Sequence, residues 1–199
     1  MSEYYDRRLR RTSIRAWWWW GTLYLCLVEP LGLAYADPIE SILVEQLDGG
    51  YHVRMQFEVN APLERVHGVL TDYDHLNAIN PKIVASQILE HPAENVTRVR
   101  YEIRHCIWFY CLDFVNVEDV TALEDGGIIA TVISDQSDFE NGYTVWSLAT
   151  SPRGTLIGYE SSIAPRFWVF PILGPIIIEN TLREQIGVSA DRIQDLVKE

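Results

Sequence analysis

The sequence predicts an α+β fold in which a run of antiparallel strands is closed by one long carboxy-terminal helix. Three observations carry that prediction. Six alternating segments follow one another between Ile83 and Ile163 with only short turn clusters between them, too little chain for the helical crossovers that parallel strands need. An earlier strand pair meets at Asp48-Gly49-Gly50, and Asp-Gly between alternating runs is a strong hairpin signal. After Gly174-Pro175 the apolar period lengthens to that of a helix, with Ile178, Leu182, Ile186, Ile193 and Val197 near one face.

The elements follow in order. Ser41–Leu47 and Tyr51–Val59 form the first hairpin, and in the second strand Val53, Met55, Phe57 and Val59 share a face opposite His52, Arg54, Gln56 and Glu58. Asn60 is placed to cap a short helix with Pro62 in its first turn and Val66, Val69 and Leu70 as its apolar stripe. Asp72-Tyr73-Asp74 and Asn80-Pro81 end this helical region. Strands are then expected at Ile83–Leu89, Thr97–Ile107, Leu112–Leu123, Ile128–Ser134, Gly142–Ala149 and Thr155–Ile163. The turns between them include Asp125-Gly126-Gly127, Glu140-Asn141-Gly142 and Ser151-Pro152-Arg153-Gly154. An aromatic loop, Phe167–Pro171, precedes the last helix, whose Glu179, Arg183 and Glu184 lie on its exposed side.

The amino terminus reads differently. Arg7, Arg8, Arg10, Arg11 and Arg15 precede an apolar run from Ala16 to Val28, and Ala34-Tyr35-Ala36 supplies an A-x-A site. That combination describes a secretory signal, residues 1–36, cut after Ala36. The alternative is an uncleaved anchor, although a spanning helix of about 20 residues would bury Glu29. Either way the remaining 37–199 is exported, with the periplasm as the expected compartment, and is the size of a single domain. Removing the leader's five arginines and three acids leaves 11 basic and 25 acidic residues, a net charge near −14. So acidic a chain is a poor fit to nucleic acid or to anionic membrane surfaces.

The phrases APLERVHGVL and TDYDHLNAINP, Ala61 to Pro81, together with this element order, resemble the START-like polyketide cyclase/dehydrase and coenzyme Q-binding family of the SRPBCC helix-grip superfamily. The similarity spans about Glu45 to Leu196. It implies a helix-grip fold: a curved antiparallel sheet wrapped around the carboxy-terminal helix, two short helices after the first strands, and an apolar cavity between sheet and helix. Members of such families bind isoprenoid quinones, lipids, sterols or polyketides, and a minority catalyse cyclisation.

Two cysteines follow the leader, Cys106 and Cys111, in CIWFYC. If they face one another across a hairpin, Arg104 meets Asp113 and Arg98 meets Asp119 on one face. Ile103 then meets Phe114, His105 meets Leu112 and Tyr101 meets Asn116 on the other. Cross-strand opposite charges contribute about 0.2–1 kcal/mol each, so one register accounts for the charges, the apolar face and the cysteines. A disulfide is expected in an oxidising compartment, the alternative being two packed thiols. The tip Ile107-Trp108-Phe109-Tyr110 is apolar for a turn. It either packs on its own domain or, with Phe167, Trp168 and Phe170, forms an entrance lip that touches a greasy ligand or, transiently, a membrane.

The five histidines have no metal spacing, and neither a G-x-S-x-G nor a phosphate-binding glycine loop occurs. No metal and no cofactor are expected. The expected cavity residues are Tyr101, Ile103, His105, Phe114, Asn116, Ile178 and Leu182. Tyr101, His105 and Glu118 would be the acid–base groups of an enzyme, the alternative for His105 being a hydrogen-bonded place in the sheet. Glu160 and Asp135 are ambiguous as to face. The favoured function is a periplasmic binding or carrier protein for a hydrophobic small molecule, such as an isoprenoid quinone, a lipid or a polyketide-like compound. A polyketide cyclase or aromatase using the same cavity is the alternative, and a protein-interaction module of a membrane-associated complex is the second.

Overall fold

The computed structural model describes residues 39–47, 49–107, 109–167 and 173–198. The leader, Trp108 and residues 168–172 lie outside the described residues. Ala36–Glu199 makes one compact unit. Within it run β1 (Ile39–Leu47), β2 (Gly50–Val59), α1 (Leu63–Leu70), a 3₁₀ turn Tyr73–His75 and α2 (Leu76–Ile79). Then come β3 (Ile83–Ala93), β4 (Val96–Ile107), β5 (Tyr110–Ala122), β6 (Ile128–Val132), β7 (Phe139–Ser151), β8 (Gly154–Pro165) and α3 (Leu173–Leu196). The strands form one curved sheet in the order β1-β2-β8-β7-β6-β5-β4-β3, antiparallel at every step. Pairing of β2 with β8 joins the two ends of the domain.

The sheet is half-buried, and its pleat shows it. Val53, Met55, Phe57 and Val59 on β2 are all buried, as are Val99 on β4, Val120 on β5 and Ile157 on β8. Burying each such side chain contributes about 1.5–3 kcal/mol relative to leaving it in water. Register shifts in the β1–β2, β3–β4 and β7–β8 pairs mark bulges, which bend strands and increase local twist. The bent sheet thereby presents one face to α3.

Helix α3 meets that face with Ile186, Ala190 and Ile193 buried, followed by Val197 just past its end. It packs against β1, β2, α1 and α2, and two arginines fix it: Arg183 Nη1 donates to Ile42 O at 3.0 Å and Arg192 Nη1 to Ala78 O at 3.3 Å. The short helices are tied to the β3 edge, where Ile88 N donates to Asp74 Oδ1 at 3.0 Å and Leu76 N to Ser86 Oγ at 3.1 Å.

Two local expectations need correction. Asn60 does not cap α1. Pro62 occupies the cap position without any side-chain hydrogen bond, and its own carbonyl accepts from Arg65 N and Val66 N. Glu140-Asn141-Gly142 is not a turn but lies inside β7, beside a register shift. The chain reverses earlier, through a 3₁₀ turn at Ser134–Gln136. Gly142 is there for close approach: a Cβ on it would stand 3.0 Å from both Ser162 O and Val132 Cγ2. The first hairpin does form, with Gly49 at φ +81°, a left-handed conformation that glycine adopts without strain.

Candidate functional site

The register of the sheet makes a hollow. Val53 on β2 pairs with Ser161 on β8, Ser161 with Thr144 on β7, Thr144 with Ala130 on β6, and Ala130 with Val120 on β5. Five neighbouring strands thus place small side chains in one inward row. The next row carries large ones, Met55, Tyr159, Trp146 and Ile128, with Trp146 and Tyr159 edge-to-face at 4.6 Å. Between the small row and α3 remains a cavity of about 260 Å³, closed from the helical side by Tyr73, Leu76, Ile79, Leu182 and Ile186. An apolar cavity of roughly 150 Å³ holds one benzene, so this one admits a ring with a short substituent.

One wall is polar. Tyr101 and Asn116 are directly paired across β4 and β5, and Glu118 lies one pleat further along β5 on the same face. Tyr101 donates its hydroxyl hydrogen to Glu118 Oε1 at 3.0 Å, and Asn116 Nδ2 donates to Tyr101 Oη and to Glu118 Oε1, both at 2.7 Å. Asn116 is 3% and Glu118 8% exposed. Burial raises the Glu118 carboxyl above its ordinary pKa of 4.5, against the opposing effect of its two hydrogen-bond donors. Burial likewise carries Tyr101 well above the usual phenol range, with the neighbouring Glu118 charge adding to it, and pushes Tyr73 up to about 12. Both phenols therefore stay protonated.

Of the residues expected in the cavity, Tyr101, Ile103, Asn116 and Leu182 line it, joined by Glu118. His105, Phe114 and Ile178 are not among the lining residues. His105 sits four residues beyond Tyr101 on β4, about 13 Å along an extended strand. It is half-buried, and burial first and Lys82 second hold its pKa below the ordinary value, with Glu184 opposing. The expected trio is thus not assembled, although Tyr101 and Glu118 do meet. Phe114 instead stacks on Phe167 at 4.5 Å, and both flank Phe139, the one member of this aromatic trio that lines the cavity. Phe109 projects from the β4–β5 tip, 93% exposed. The entrance residues Trp108, Trp168 and Phe170 lie outside the described residues. Glu160 belongs to the outer face with Arg54 and Tyr143, and Asp135 to the 3₁₀ turn.

The predicted register of the β4–β5 hairpin is the observed one, including Cys106 opposite Cys111, which form a disulfide. Arg98 and Arg104 each grip their aspartate through two hydrogen bonds at 2.7 and 2.9 Å. Sequence reasoning missed Thr144, Trp146, Tyr159 and Ser161, although the alternation of β7 and β8 carries them. It also missed Gln185 and Ser189, which share the inward side of α3 with Leu182 and Ile186. Among the described residues, no group of histidine, cysteine or acidic side chains has metal-binding geometry, and no helix is long and apolar enough to cross a membrane.

Residues 51–197 match the family model described as polyketide cyclase/dehydrase and lipid transport. The chain belongs to that family. Its START-like helix-grip fold recurs in solved structures of low identity. TTHA0849 from Thermus thermophilus aligns with a TM-score of 0.63 at 16% identity, covering 73% of this chain and 96% of its own. The ZhuI aromatase/cyclase from Streptomyces sp. R1128 gives 0.56 at 16%, covering 74% and 91%. A STAR-related lipid transfer protein from Xanthomonas axonopodis gives 0.57 at 14%, covering 79% and 99%. No curated protein matches the sequence.

Proposed function

We propose that this family member is a binding or carrier protein for a hydrophobic small molecule, working in the periplasm after export by its amino-terminal leader. The observation that carries the reading is the cavity of about 260 Å³ between sheet and α3, lined mainly by aliphatic and aromatic side chains. A ligand burying roughly 200 Å² of apolar surface there gains about 5 kcal/mol at 25 cal/mol per Å², before the entropy of binding. An insoluble molecule crossing water between two membranes needs that shelter and no chemistry. The ring-sized volume suits the head of an isoprenoid quinone, a lipid or a polyketide-like compound. Phe109, exposed at a disulfide-closed tip, is the side chain that would touch a membrane during loading. Native mass spectrometry and solvent extraction of protein purified from its own cells test this directly. A lipophile at one per chain supports the carrier; a co-purifying protein with no lipophile would overturn it in favour of an interaction module.

A cyclase reading is favoured by one feature, the Glu118 carboxyl held at 3.0 Å from the Tyr101 hydroxyl in the cavity wall. A carboxyl whose pKa burial raises, beside a phenol, is suited to protonating an enolate or carbonyl oxygen. Turnover of a reactive polyketide chain, abolished in Glu118→Gln with binding retained, would establish it. Retained turnover would dismiss that pair.

A further inference from the structure

We infer that the cavity selects an uncharged lipophile bearing a hydroxyl group, with Glu118 as the side chain that grips it. The inference rests on the carrier reading and specifies its ligand class. It follows from the charges and hydrogen-bond partners around the cavity.

Among the described residues, no lysine, arginine or histidine lines the cavity, and the carboxyl that does is Glu118. The groups facing that carboxyl are Tyr101 from β4, Asn116 from its own strand and, through the charge it feels, Tyr159 from β8. None of these is a cation. A carboxylate or phosphate head would therefore enter a low-dielectric space without a countercharge and beside an acid, an arrangement whose desolvation nothing offsets. Anionic lipids are excluded on that ground.

The donor count then decides the kind of neutral head. Tyr101 commits its one hydroxyl hydrogen to Glu118, and Asn116 directs its amide hydrogens to Tyr101 and Glu118. Around Glu118 the groups left over are acceptors: Asn116 Oδ1 is buried without any partner, as is Gln185 Oε1 on α3, and Glu118 accepts both of its bonds on Oε1, leaving Oε2. A buried acceptor without a donor costs more than the bond itself contributes. The Tyr101–Asn116–Glu118 cluster thus has its hydrogens committed and acceptors left over, whereas the hydroxyls of Thr144 and Ser161 elsewhere in the wall bond one another. A ligand hydroxyl supplies the donor that the cluster lacks.

Three probes of matched size test this by calorimetric titration of the purified protein at pH 7: 4-butylphenol, butylbenzene and 4-butylbenzoate. The phenol should bind about fivefold tighter than butylbenzene, the worth of one net hydrogen bond, and at least about tenfold tighter than the benzoate. Glu118→Leu should remove the preference for phenol over butylbenzene, and Glu118→Gln, which keeps an acceptor and a donor in place, should retain it. Equal binding of phenol and butylbenzene to the wild type overturns the hydroxyl inference and leaves the carrier reading standing. Preference for the benzoate overturns it outright. Binding of none of the three removes the carrier reading and this inference with it. Should Glu118→Leu fail to fold, the wild-type ranking and the Glu118→Gln variant still decide.

Discussion

Substituting Ala130 by leucine tests whether the small-residue row creates usable space. Ala130 is 6% exposed on β6, between Val120 and Thr144, and lines the cavity. Three added carbons, each taking roughly the 30 Å³ share of a water-sized group in a liquid, occupy about 90 Å³. That is about a third of the 260 Å³ available. At roughly 24 cal/mol per Å³ of cavity removed, the ceiling on stabilisation is about 2 kcal/mol. The expected result is unfolding free energy unchanged or raised by up to that amount, measured in urea with the slope unchanged, together with reduced binding of butylphenol. Overpacking a filled core instead costs about 1–3 kcal/mol. A loss of that size, with ligand uptake intact, would refute the reasoning.

Other expectations follow from single features. Replacing Cys106 and Cys111 together by serine opens a very short loop, for which the chain-entropy relation gives about 2 kcal/mol of lost stability; thiol titration of the denatured, unreduced wild type should find neither cysteine reactive. Gly154→Ala places a Cβ against the Val59 carbonyl and 2.7 Å from Ala61 N, at a φ of +142°, so it should destabilise by at least about 2 kcal/mol; an unchanged melting temperature would contradict the tight β7–β8 turn. Glu118→Gln should gain on the wild type as pH rises. The folded wild type holds the Glu118 proton above 4.5, where the unfolded chain has lost it, so wild-type stability falls through that window and the variant's does not. A difference in melting temperature that stays constant from pH 4 to 8 would show that Glu118 is not buried as described.

Much of the β4–β5 hairpin was legible because several independent signals agreed on one register. Arg98 with Asp119, Arg104 with Asp113, and the two cysteines all require the same pairing, and a one-residue slip would break every one of them. Tyr101, Asn116 and Glu118 follow from the same pleat. The rest of the wall was harder to read, since it is assembled from β2, β8, β7 and β6, whose adjacency depends on the β2–β8 pairing across more than 90 residues. The row Val53, Ser161, Thr144 and Ala130 looks unremarkable in each strand alone. His105 shares the inward parity of Tyr101 but lies too far along the strand, which alternation does not measure. Asn141-Gly142 carries a turn signal, yet here the glycine serves close packing within a strand.

The hollow itself is measured most directly by crystallography under xenon pressure, since xenon enters dry apolar cavities and leaves packed cores alone. Xenon density between Trp146, Tyr101 and Leu182 is the result expected. Side chains in van der Waals contact throughout that region, with no xenon site there, would contradict the cavity and the carrier built on it.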